Sequence, residues 1–430
     1  MIMRFIYTLL LILIAPFFLY GLYKSKPNKP KFGLRWKEHF GFTPQLKKSA
    51  NSPIWIHAVS VGELLAVTPL IKKLKADNPE QSIVVTTTTS TGAAEADKLR
   101  DLVEHRYMPL DFSFAIKRFI KTVKPTALFI METELWPNTL ACCQQKNIPI
   151  TVINARLSQR SANRYKKFPA IFNLLLKNIN LVLAQTDQDA QRFVDLGMKP
   201  EQVNVTGSIK FDITVSKQQS EQATTLRNSF DQKREVWIAA STHKGEDEQI
   251  IAAHQQLLKE KPNALLILVP RHPERFSSVK ELCQASGLQV VSRSSQAPIT
   301  DITQIYLGDS MGEMMVLLGI ADICFIAGSL IGDKVGGHNL LEAAALKKPI
   351  LNGPSYFNFK QITEQLVQLD ACTICQNSNE ISANLLALFN DAKLRQQQGE
   401  AALNFVLQNQ GALDKTAQMM KDIISQNNKH

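Results

Sequence analysis

The sequence is poor in cysteine and has no framework of paired cysteines. Its six cysteines include a single Cys-x-x-Cys pair, and they stand at positions Cys142, Cys143, Cys283, Cys324, Cys372 and Cys375. Zinc ribbons and disulfide-rich secreted domains need several such pairs at short spacing. We therefore expect no disulfides. A metal or redox role for the Cys372–Cys375 pair is disfavoured, because neither a second pair nor a histidine accompanies it.

Several catalytic motifs are also missing. The chain has no GxGxxG fingerprint, no GxxxxGK[ST] phosphate loop and no HExxH zinc motif. These absences argue against hydride transfer from a dinucleotide, P-loop hydrolysis and zinc proteolysis. An enzyme that used a nucleotide-linked substrate without a metal would have to neutralise the leaving phosphate with helix N-termini and with cations such as Arg271 or Lys210.

Acidic residues are scarce in one short stretch, and this accounts for most of the net charge of +11. Residues 23–50 contain one acidic residue, Glu38, and eight basic ones: Lys24, Lys26, Lys29, Lys31, Arg35, Lys37, Lys47 and Lys48. This stretch has a net charge of +7, so the remaining 402 residues carry only +4. A nucleic-acid binder would spread its positive charge over a face of the folded body. We therefore do not expect nucleic acid as a partner.

One long hydrophobic run precedes the basic stretch. Residues 5–22 read FIYTLLLILIAPFFLYGL and contain no charge. As a helix they would measure about 27 Å, which is enough to reach across a bilayer. A cleaved signal peptide is the alternative, but no small-x-small cleavage site precedes the lysines. We expect a membrane anchor over 1–23 and a basic linker over 24–50 that contacts membrane phospholipid, with the remaining body on the cytoplasmic face.

The rest of the chain alternates apolar, β-prone runs with amphipathic segments. Such alternation is typical of parallel, doubly wound α/β sheets. A polar stretch at 216–235 interrupts the series, which predicts two domains of this class, over 51–214 and 215–430, the second including the C-terminal helices. The predicted strands cover 53–60, 82–89, 126–131, 149–155, 181–186, 236–242, 264–270, 288–293, 321–328 and 348–353.

Candidate functional residues of the first domain follow its strands, where ligand crevices form in sheets of this kind. Glu63 is suitably placed for a general base, although a carboxylate in the first turn of a helix can simply complement the helix dipole. Glu132 and Glu134 form an acidic cluster with Trp136, and either could be functional. Lys210 follows a glycine turn and could bind phosphate or carboxylate, although a solvated lysine is commoner.

The second domain offers an anion site. Arg271 presents the planar donor fork that matches a phosphate or carboxylate, although a surface ion pair is the commoner use of a single arginine. Gly336 and Gly337 precede a predicted helix, whose N-terminus would attract an anion. Glu342 could accept hydrogen bonds from a ribose or could cap the helix.

Nearly the whole chain resembles the Kdo transferases, the inverting glycosyltransferases that add 3-deoxy-octulosonic acid (Kdo) to lipid A precursors. Besides the N-terminal apolar segment, the resemblance is carried in order by SVGE, TTTTSTG, METELWPN, NARLS, GSIKFD, STHKGE, VPRHPERF, GDSMGE, GGHNLLEAA and NQGAL. It implies the GT-B fold, with two Rossmann-like domains facing a central cleft. The family motif often has proline where Leu340 stands. Since proline at a first helical position only pre-organises the helix, little depends on this difference.

The resemblance also implies roles for individual residues. Glu63 would be the base that deprotonates the acceptor hydroxyl, and Glu132 and Lys210 would stabilise the transition state. The CMP-binding positions would be Pro270, Arg271, Met311, Gly312, Glu313, Asn339, Leu340, Leu341 and Glu342, with the donor phosphate at Gly336 and Gly337. No metal or other cofactor is expected.

The expected reaction is transfer of Kdo from CMP-Kdo to the lipid A precursor lipid IVA, with two units added. Two other readings stay open at this point. Another GT-B enzyme could use a different nucleotide sugar at the membrane, and a catalytically dead scaffold could retain the fold. A nucleic-acid binder is the reading that the charge distribution disfavours.

Overall fold

A computed structural model describes residues 2–24, 30–47 and 52–427. Lys26, Lys29 and Lys48 of the basic stretch lie outside the described residues. The chain forms two compact units: Met1–Asp212 together with Gln410–His430, and Ile213–Asn409. Each unit contains a seven-stranded sheet in which all the strand pairings are parallel. The predicted α/β class with two doubly wound sheets is confirmed.

The sheet of the first unit has the strand order β3-β2-β1-β4-β5-β6-β7. Its strands are β1 (Ile54–His57), β2 (Ile83–Thr87), β3 (Glu104–Tyr107), β4 (Leu128–Met131), β5 (Ile150–Ala155), β6 (Leu181–Ala184) and β7 (Val203–Val205). Its helices are α1 (Ile2–Tyr23), α2 (Val61–Asp77), α3 (Ser90–Asp97), α4 (Ser113–Val123), α5 (Pro137–Gln144), α6 (Gln159–Lys166), α7 (Pro169–Leu176), α8 (Asp187–Asp195) and α17 (Ala412–Asn427).

Strand β1 illustrates why these segments read as continuous apolar runs. Ile54, Trp55 and Ile56 are all completely buried. Since successive side chains point to opposite faces of a strand, Trp55 joins the core on one face of the sheet, while its two neighbours join the core on the other. Helices cover both faces of a parallel sheet, so its central strands have no solvent-facing side.

The sheet of the second unit has the order β10-β11-β9-β8-β12-β13-β14. Its strands are β8 (Val236–Thr242), β9 (Leu265–Pro270), β10 (Val290–Ser292), β11 (Ile305–Leu307), β12 (Ile323–Ile326), β13 (Ile350–Asn352) and β14 (Cys372–Ile374). Its helices are α9 (Lys217–Asn228), α10 (Asp247–Glu260), α11 (Phe276–Ala285), α12 (Met314–Ile320), α13 (Leu341–Ala345), α14 (Lys360–Gln368), α15 (Ser378–Asn390) and α16 (Ala392–Asn409).

The C-terminal helix α17 differs from the sequence-based division, which grouped 215–430 together. It belongs to the first unit. Its buried face, which includes Met420 and Ile424, joins the same core cluster as Leu70 of α2. The carboxylate of Asp212 accepts hydrogen bonds from the backbone N–H groups of Gly411 and Leu413, both at 2.7 Å. These contacts account for the return of the chain, because they cap the start of α17 and bury its apolar face.

Candidate active site

The predicted residues of the first unit lie where its strand order reverses. From β1 the sheet continues through β2 in one direction and through β4 in the other. Such a switch point leaves a crevice at the carboxyl ends of the two strands. Glu63 follows β1, and Glu132 directly follows β4. The two predicted carboxylates therefore lie at the position that this topology provides for a ligand.

Glu63 is held at the first turn of α2 by reciprocal hydrogen bonds. Ser60 is the N-cap, and its hydroxyl both accepts from the Glu63 N–H and donates to Glu63 Oε1, at 3.2 Å in each case. The other carboxylate oxygen, Oε2, accepts from the Val59 N–H at 2.9 Å. These bonds resemble a capping box, except that the carboxylate accepts from Val59, the residue before the N-cap, and they give the side chain a defined direction before any ligand binds.

The surroundings of Glu63 favour its protonated form more than usual. Burial is the main cause that raises the pKa of its carboxyl to about 7. The hydrogen bond from Val59 opposes this shift, whereas the negative charges of Glu132 and Glu134 add to it. A carboxylate with a pKa near neutrality exchanges protons readily at physiological pH, which is the property required of a general base.

Lys210 and Glu132 form an ion pair, with Lys210 Nζ 3.3 Å from Glu132 Oε1. About a third of each side chain is exposed, so both groups remain accessible to a ligand. The backbone of Glu132 has a φ of +54°, a conformation that non-glycine residues rarely adopt. It is held there by a hydrogen bond from its N–H to the Ile153 carbonyl at 3.0 Å. Strain of this kind is concentrated at functional sites.

Asn154 supports this arrangement from the neighbouring strand. It is completely buried, has a φ of +51°, and accepts a hydrogen bond from the Ile209 N–H through Oδ1. That bond fixes the backbone immediately before Lys210. The NARLS and GSIKFD segments are thereby joined, and Asp212, at the end of the second segment, also caps α17. Arg156 of NARLS is exposed.

The second unit has its own switch point, between β8 and β12. Glu246, which lies in the loop after β8, is completely buried, and its side chain contacts the loops on both sides of this point. Its carboxylate accepts hydrogen bonds from four backbone N–H groups at 2.8–2.9 Å, those of His243, Gly328, Ser329 and Leu330. It therefore fixes the loop after β8 against the loop after β12. Sequence reasoning quoted this residue but gave it no role.

Three histidines gather at the same edge of the second sheet. His243 Nε2 lies 2.8 Å from His338 Nε2, and the two rings are stacked. The ring of His272 meets the His243 ring edge-on, with centroids 5.2 Å apart. Burial lowers the pKa of His243 to about 4 and that of His338 to about 3, and in both cases the charge of Arg271 lowers it further. This group was also missed in the sequence, where only its motifs were noted.

Arg271 is the exposed cation of this cluster. Its backbone follows β9 and is fixed by a hydrogen bond from its N–H to the Thr242 carbonyl at 3.0 Å. Glu342 lies close enough that the charge of Arg271 affects it, although burial is the dominant influence and raises the pKa of Glu342. The structure thus brings together Arg271, Glu342 and the histidines from segments that are up to about a hundred residues apart in the chain.

The glycine pair does not stand at a helix start, contrary to the sequence-based expectation. Helix α13 begins only at Leu341, and it has five residues. Gly336 and Gly337, both with φ near +80°, lie instead in a close-packed loop, where the Gly337 N–H donates to the Gly328 carbonyl at 2.8 Å. A Cβ atom on Gly336 would meet the ring of Phe357 at 2.4 Å. The pair is required for this packing.

Four further positions were predicted to bind the nucleotide: Pro270, Asn339, Leu340 and Leu341. Pro270 ends β9, and Leu340 and Leu341 are completely buried. Asn339 Oδ1 accepts a hydrogen bond from the Leu341 N–H at 3.1 Å. The predicted side chains here therefore divide into buried supports and groups, such as Asn339, that are only partly buried.

Met311, Gly312 and Glu313 form the turn between β11 and α12. Glu313 is paired with Arg293 at 2.7 Å, so its carboxylate holds the turn in place, whereas Met311 is 63% exposed. The same segment, Gly308-Asp-Ser310-Met-Gly312, has the GxSxG spacing of serine esterases. However, the Ser310 hydroxyl donates to Glu313 and not to a histidine. This contact does not fit an activated nucleophile.

Within residues 2–24, 30–47 and 52–427 no group of three or more His, Cys, Asp or Glu side chains could hold a metal ion. All six cysteines are buried and unpaired.

Comparisons with known proteins agree with the motifs. Residues 34–213 match the family described as 3-deoxy-D-manno-octulosonic-acid transferase (kdotransferase). The 3-deoxy-D-manno-octulosonic acid transferase of Haemophilus influenzae is 40% identical over 99% of both chains. That of Bordetella pertussis is 32% identical over 86% of this chain and 87% of its own.

Solved structures add information on the fold. A glycosyltransferase from Rickettsia africae covers 87% of this chain and 99% of its own at 16% identity, with a TM-score of 0.54. UDP-GlcNAc 2-epimerase from Neisseria meningitidis covers 87% of this chain and 100% of its own at 14% identity, with a TM-score of 0.56. At such identities the likeness shows the fold alone, and the GT-B class is confirmed. Given its motifs and its relatives, the chain belongs to the 3-deoxy-D-manno-octulosonic acid (Kdo) transferase family of glycosyltransferases.

Proposed function

We propose that this enzyme transfers Kdo from CMP-Kdo to lipid IVA with inversion of configuration, that it adds two Kdo units, and that it acts at the cytoplasmic face of the inner membrane. Membership of the Kdo transferase family supports the general activity. The observation that carries the mechanism is Glu63, a partly buried carboxylate at a switch point whose pKa is raised to about 7.

In this proposal Glu63 acts on the acceptor. Its carboxylate removes the proton from an acceptor hydroxyl while that oxygen attacks the anomeric carbon of Kdo. The new C–O bond forms on the face opposite CMP, and the bond between the anomeric carbon and the phosphate oxygen breaks, leaving its electron pair on CMP. A base positioned in this way typically contributes a factor of about 10² to 10⁴ in rate.

Lys210 and Glu132 stabilise the charge that develops in this step. The ammonium group of Lys210 supplies a positive charge beside the reacting centre, and Glu132, at 3.3 Å, fixes its direction. A group that is oriented before the reaction does not have to reorganise when charge develops, which is why such groups contribute strongly to catalysis.

The second unit would bind the donor. Arg271 suits the phosphate, since its guanidinium offers several donors in a fixed geometry. Glu342 and Asn339 are suitable acceptors for ribose hydroxyls, and the exposed Met311 offers apolar contact to the base. We expect no metal ion to be required, because Lys210 and Arg271 supply the positive charge.

The first experiment compares wild type with Glu63→Gln. Each purified protein is incubated with CMP-Kdo and lipid IVA, and the products are read by mass spectrometry. We expect the wild type to increase the lipid mass by two Kdo units and the variant to lose activity by at least about a hundredfold. Parallel reactions with EDTA should proceed unchanged.

Glu95→Gln is the matched control, since Glu95 is a carboxylate of the same unit that pairs with Lys98 on the surface of α3. It should retain wild-type activity. Consumption of a different nucleotide sugar in place of CMP-Kdo would refute the donor assignment. Addition of a single unit would refute only the count.

A further inference from the structure

Helix α1 is long and apolar enough to cross a membrane, with a mean hydropathy of 2.3. Length and composition alone do not distinguish a helix that crosses a bilayer from one that lies on it. The contacts of α1 with its own unit do make this distinction.

One stripe of α1 is docked against the first unit. Its members recur at helical spacing and are partly or fully buried: Tyr7, Thr8, Leu11, Ala15, Leu19 and Leu22. Near one end, Asn138 Nδ2 donates to Thr8 Oγ1 at 3.0 Å. In the middle, Ala15 packs with Leu110, Phe112 and Ala115. At the other end, the Tyr23 hydroxyl lies 2.6 Å from His39 Nδ1.

These contacts extend over most of the helix. From Thr8 to Tyr23 the axis runs about 22 Å, since each residue adds about 1.5 Å. The hydrocarbon layer is about 30 Å thick. If α1 stood upright while still docked, much of the first unit would have to sit inside that layer.

The polar groups beside α1 exclude that position. The carboxylate of Asp111, which is completely buried, lies beside the hydroxyl of Tyr7 and accepts hydrogen bonds from the Asn138 and Thr139 N–H groups. Carboxylates are costly at hydrocarbon depth, and loops and sheet edges exposed to lipid do not occur there. If α1 instead left the unit to cross the membrane, Asn138 would lose its bond to Thr8, and the apolar patch under Ala15 would be exposed to water.

The opposite stripe of α1 faces outward and is apolar. Ile6, Leu13 and Tyr20 follow one another at intervals of seven residues and are 42%, 62% and 70% exposed. No charged residue occurs between Arg4 and Lys24. Beyond the helix come Lys24, Lys31, Arg35 and Lys37, which complement anionic headgroups.

We propose that α1 lies in the plane of the membrane surface, docked along the first unit on one side and embedded on the other in one leaflet of an anionic bilayer. An in-plane helix of this kind sinks its apolar face about 5–10 Å into the boundary between headgroups and acyl chains. The inference deepens the membrane assignment of the proposed function and rests on it. It predicts that both ends of α1 lie on the side of the catalytic body.

Depth measurements test this directly on the full-length protein. Cysteine replaces Ile6, Leu13 or Tyr20, one at a time, and carries an environment-sensitive fluorophore, since the six native cysteines are buried. The labelled proteins bind vesicles of phosphatidylglycerol and phosphatidylethanolamine that contain quenchers at known depths. We expect three similar, shallow depths. A label at Leu13 that lies about 10 Å deeper than the labels at Ile6 and Tyr20 would show a crossing helix and overturn the proposal, since seven residues of helix span about that distance.

Membrane sidedness gives an independent readout. One cysteine is placed in a short polar extension before Met1, and another replaces Lys217, whose side chain is 91% exposed. Both should react with a membrane-impermeant maleimide only after the inner membrane is opened. Reaction of the extension in intact spheroplasts, with Lys217→Cys protected, would again show crossing.

A second copy of the chain is the other possible occupant of the exposed stripe. Three positions unaffected by every lipid quencher, in a protein that sediments as a dimer, would refute the lipid assignment. Kdo transfer is assayed on the same samples. If the labels show that α1 crosses the membrane while Kdo transfer is normal, the in-plane proposal fails and the proposed function stands. If the labels on α1 are shallow but Kdo is not transferred, only the proposed function fails.

Discussion

His338 Nε2 lies 2.8 Å from His243 Nε2, so one ring must donate a proton and the other must accept it. The free protein keeps this pair neutral, because burial lowers the pKa of both rings to about 3–4 and the nearby Arg271, His272 and, for His243, Arg275 also oppose protonation. A bound phosphate would reverse the sign of the local charge. The pKa of the pair should then rise towards neutrality.

The first prediction is that nucleotide binding takes up a proton at this pair. Because protonation accompanies binding, affinity for CMP should increase as the pH falls from 8 to 6, by at most tenfold per pH unit for one linked proton. Calorimetry in two buffers with different ionisation enthalpies gives the proton count. His338→Asn removes a titrating ring, so the count should fall. An unchanged count would assign the uptake to the phosphate itself.

The second prediction concerns the pH dependence of transfer. Glu63 must be ionised to act as a base, so kcat/KM should fall as the pH drops below about 7. Glu134→Gln removes a negative charge that raises this pKa, and the acid limb should therefore move to lower pH. Glu95→Gln should leave the profile unchanged. An acid limb that did not move in Glu134→Gln would contradict the electrostatic account.

Stability measurements distinguish activity lost because the base at position 63 is missing from activity lost because the protein unfolds. The folded-state pKa of Glu63, about 7, exceeds its ordinary value of 4.5. The unfolded chain therefore loses the proton first, and the associated stability is lost as the pH rises through 7. At pH 8 Glu63→Gln should unfold at a temperature no lower than the wild type, because Gln can still accept from Val59. A clearly lower temperature would mean that lost activity reflects lost structure.

The strands and most strand-end residues could be predicted because their signals are local. β9 is an unbroken apolar run and β2 consists entirely of β-branched residues, whereas β3, with the sequence Glu-His-Arg-Tyr, is polar and largely half-buried at a sheet edge, so it gave no signal. β10 and β13 have three residues and were predicted, so length alone does not explain why the equally short β7, β11 and β14 were missed. They exist because a neighbouring strand supplies their hydrogen-bond partners.

The supports of the candidate site could not be predicted for a related reason. The partners of Glu246 include Gly328, which lies 82 residues away, and those of His243 include His338, 95 residues away. Ser241, with a φ of +66°, adopts a backbone that its residue type does not suggest. Such features depend on tertiary neighbours, whereas the presence of Glu63 or Arg271 after a strand can be read from one segment.

The third prediction tests the support formed by Glu246. In Glu246→Gln the amide NH₂ would face backbone N–H groups, so about half of the four hydrogen bonds would be lost. Because the backbone N–H groups that lose their acceptor stay buried, the free energy of unfolding should fall by roughly 3 kcal/mol. CMP binding should weaken as well, because the loops after β8 and β12 would no longer be fixed together.

Glu248→Gln is the control for that variant, since Glu248 is exposed two residues away. It should change stability by no more than about 0.5 kcal/mol. Denaturant unfolding monitored by circular dichroism, together with CMP titration, measures both effects. Equal stability of the two variants would mean that Glu246 does not fix these loops.

The fourth prediction concerns the return of the C-terminal helix to the first unit. Asp212→Asn keeps one carbonyl oxygen but replaces the other acceptor with a donor, so the N–H of Gly411 or Leu413 loses its partner. Loss of a helix cap costs about 1 kcal/mol. Backbone amides of α17 should therefore exchange hydrogen about fivefold faster than in the wild type, as measured by mass spectrometry. Asp422→Asn, on the exposed side of α17, should leave exchange nearly unchanged. Equal exchange in wild type and Asp212→Asn would show that the apolar face alone, through Met420 and Ile424, holds α17 in place.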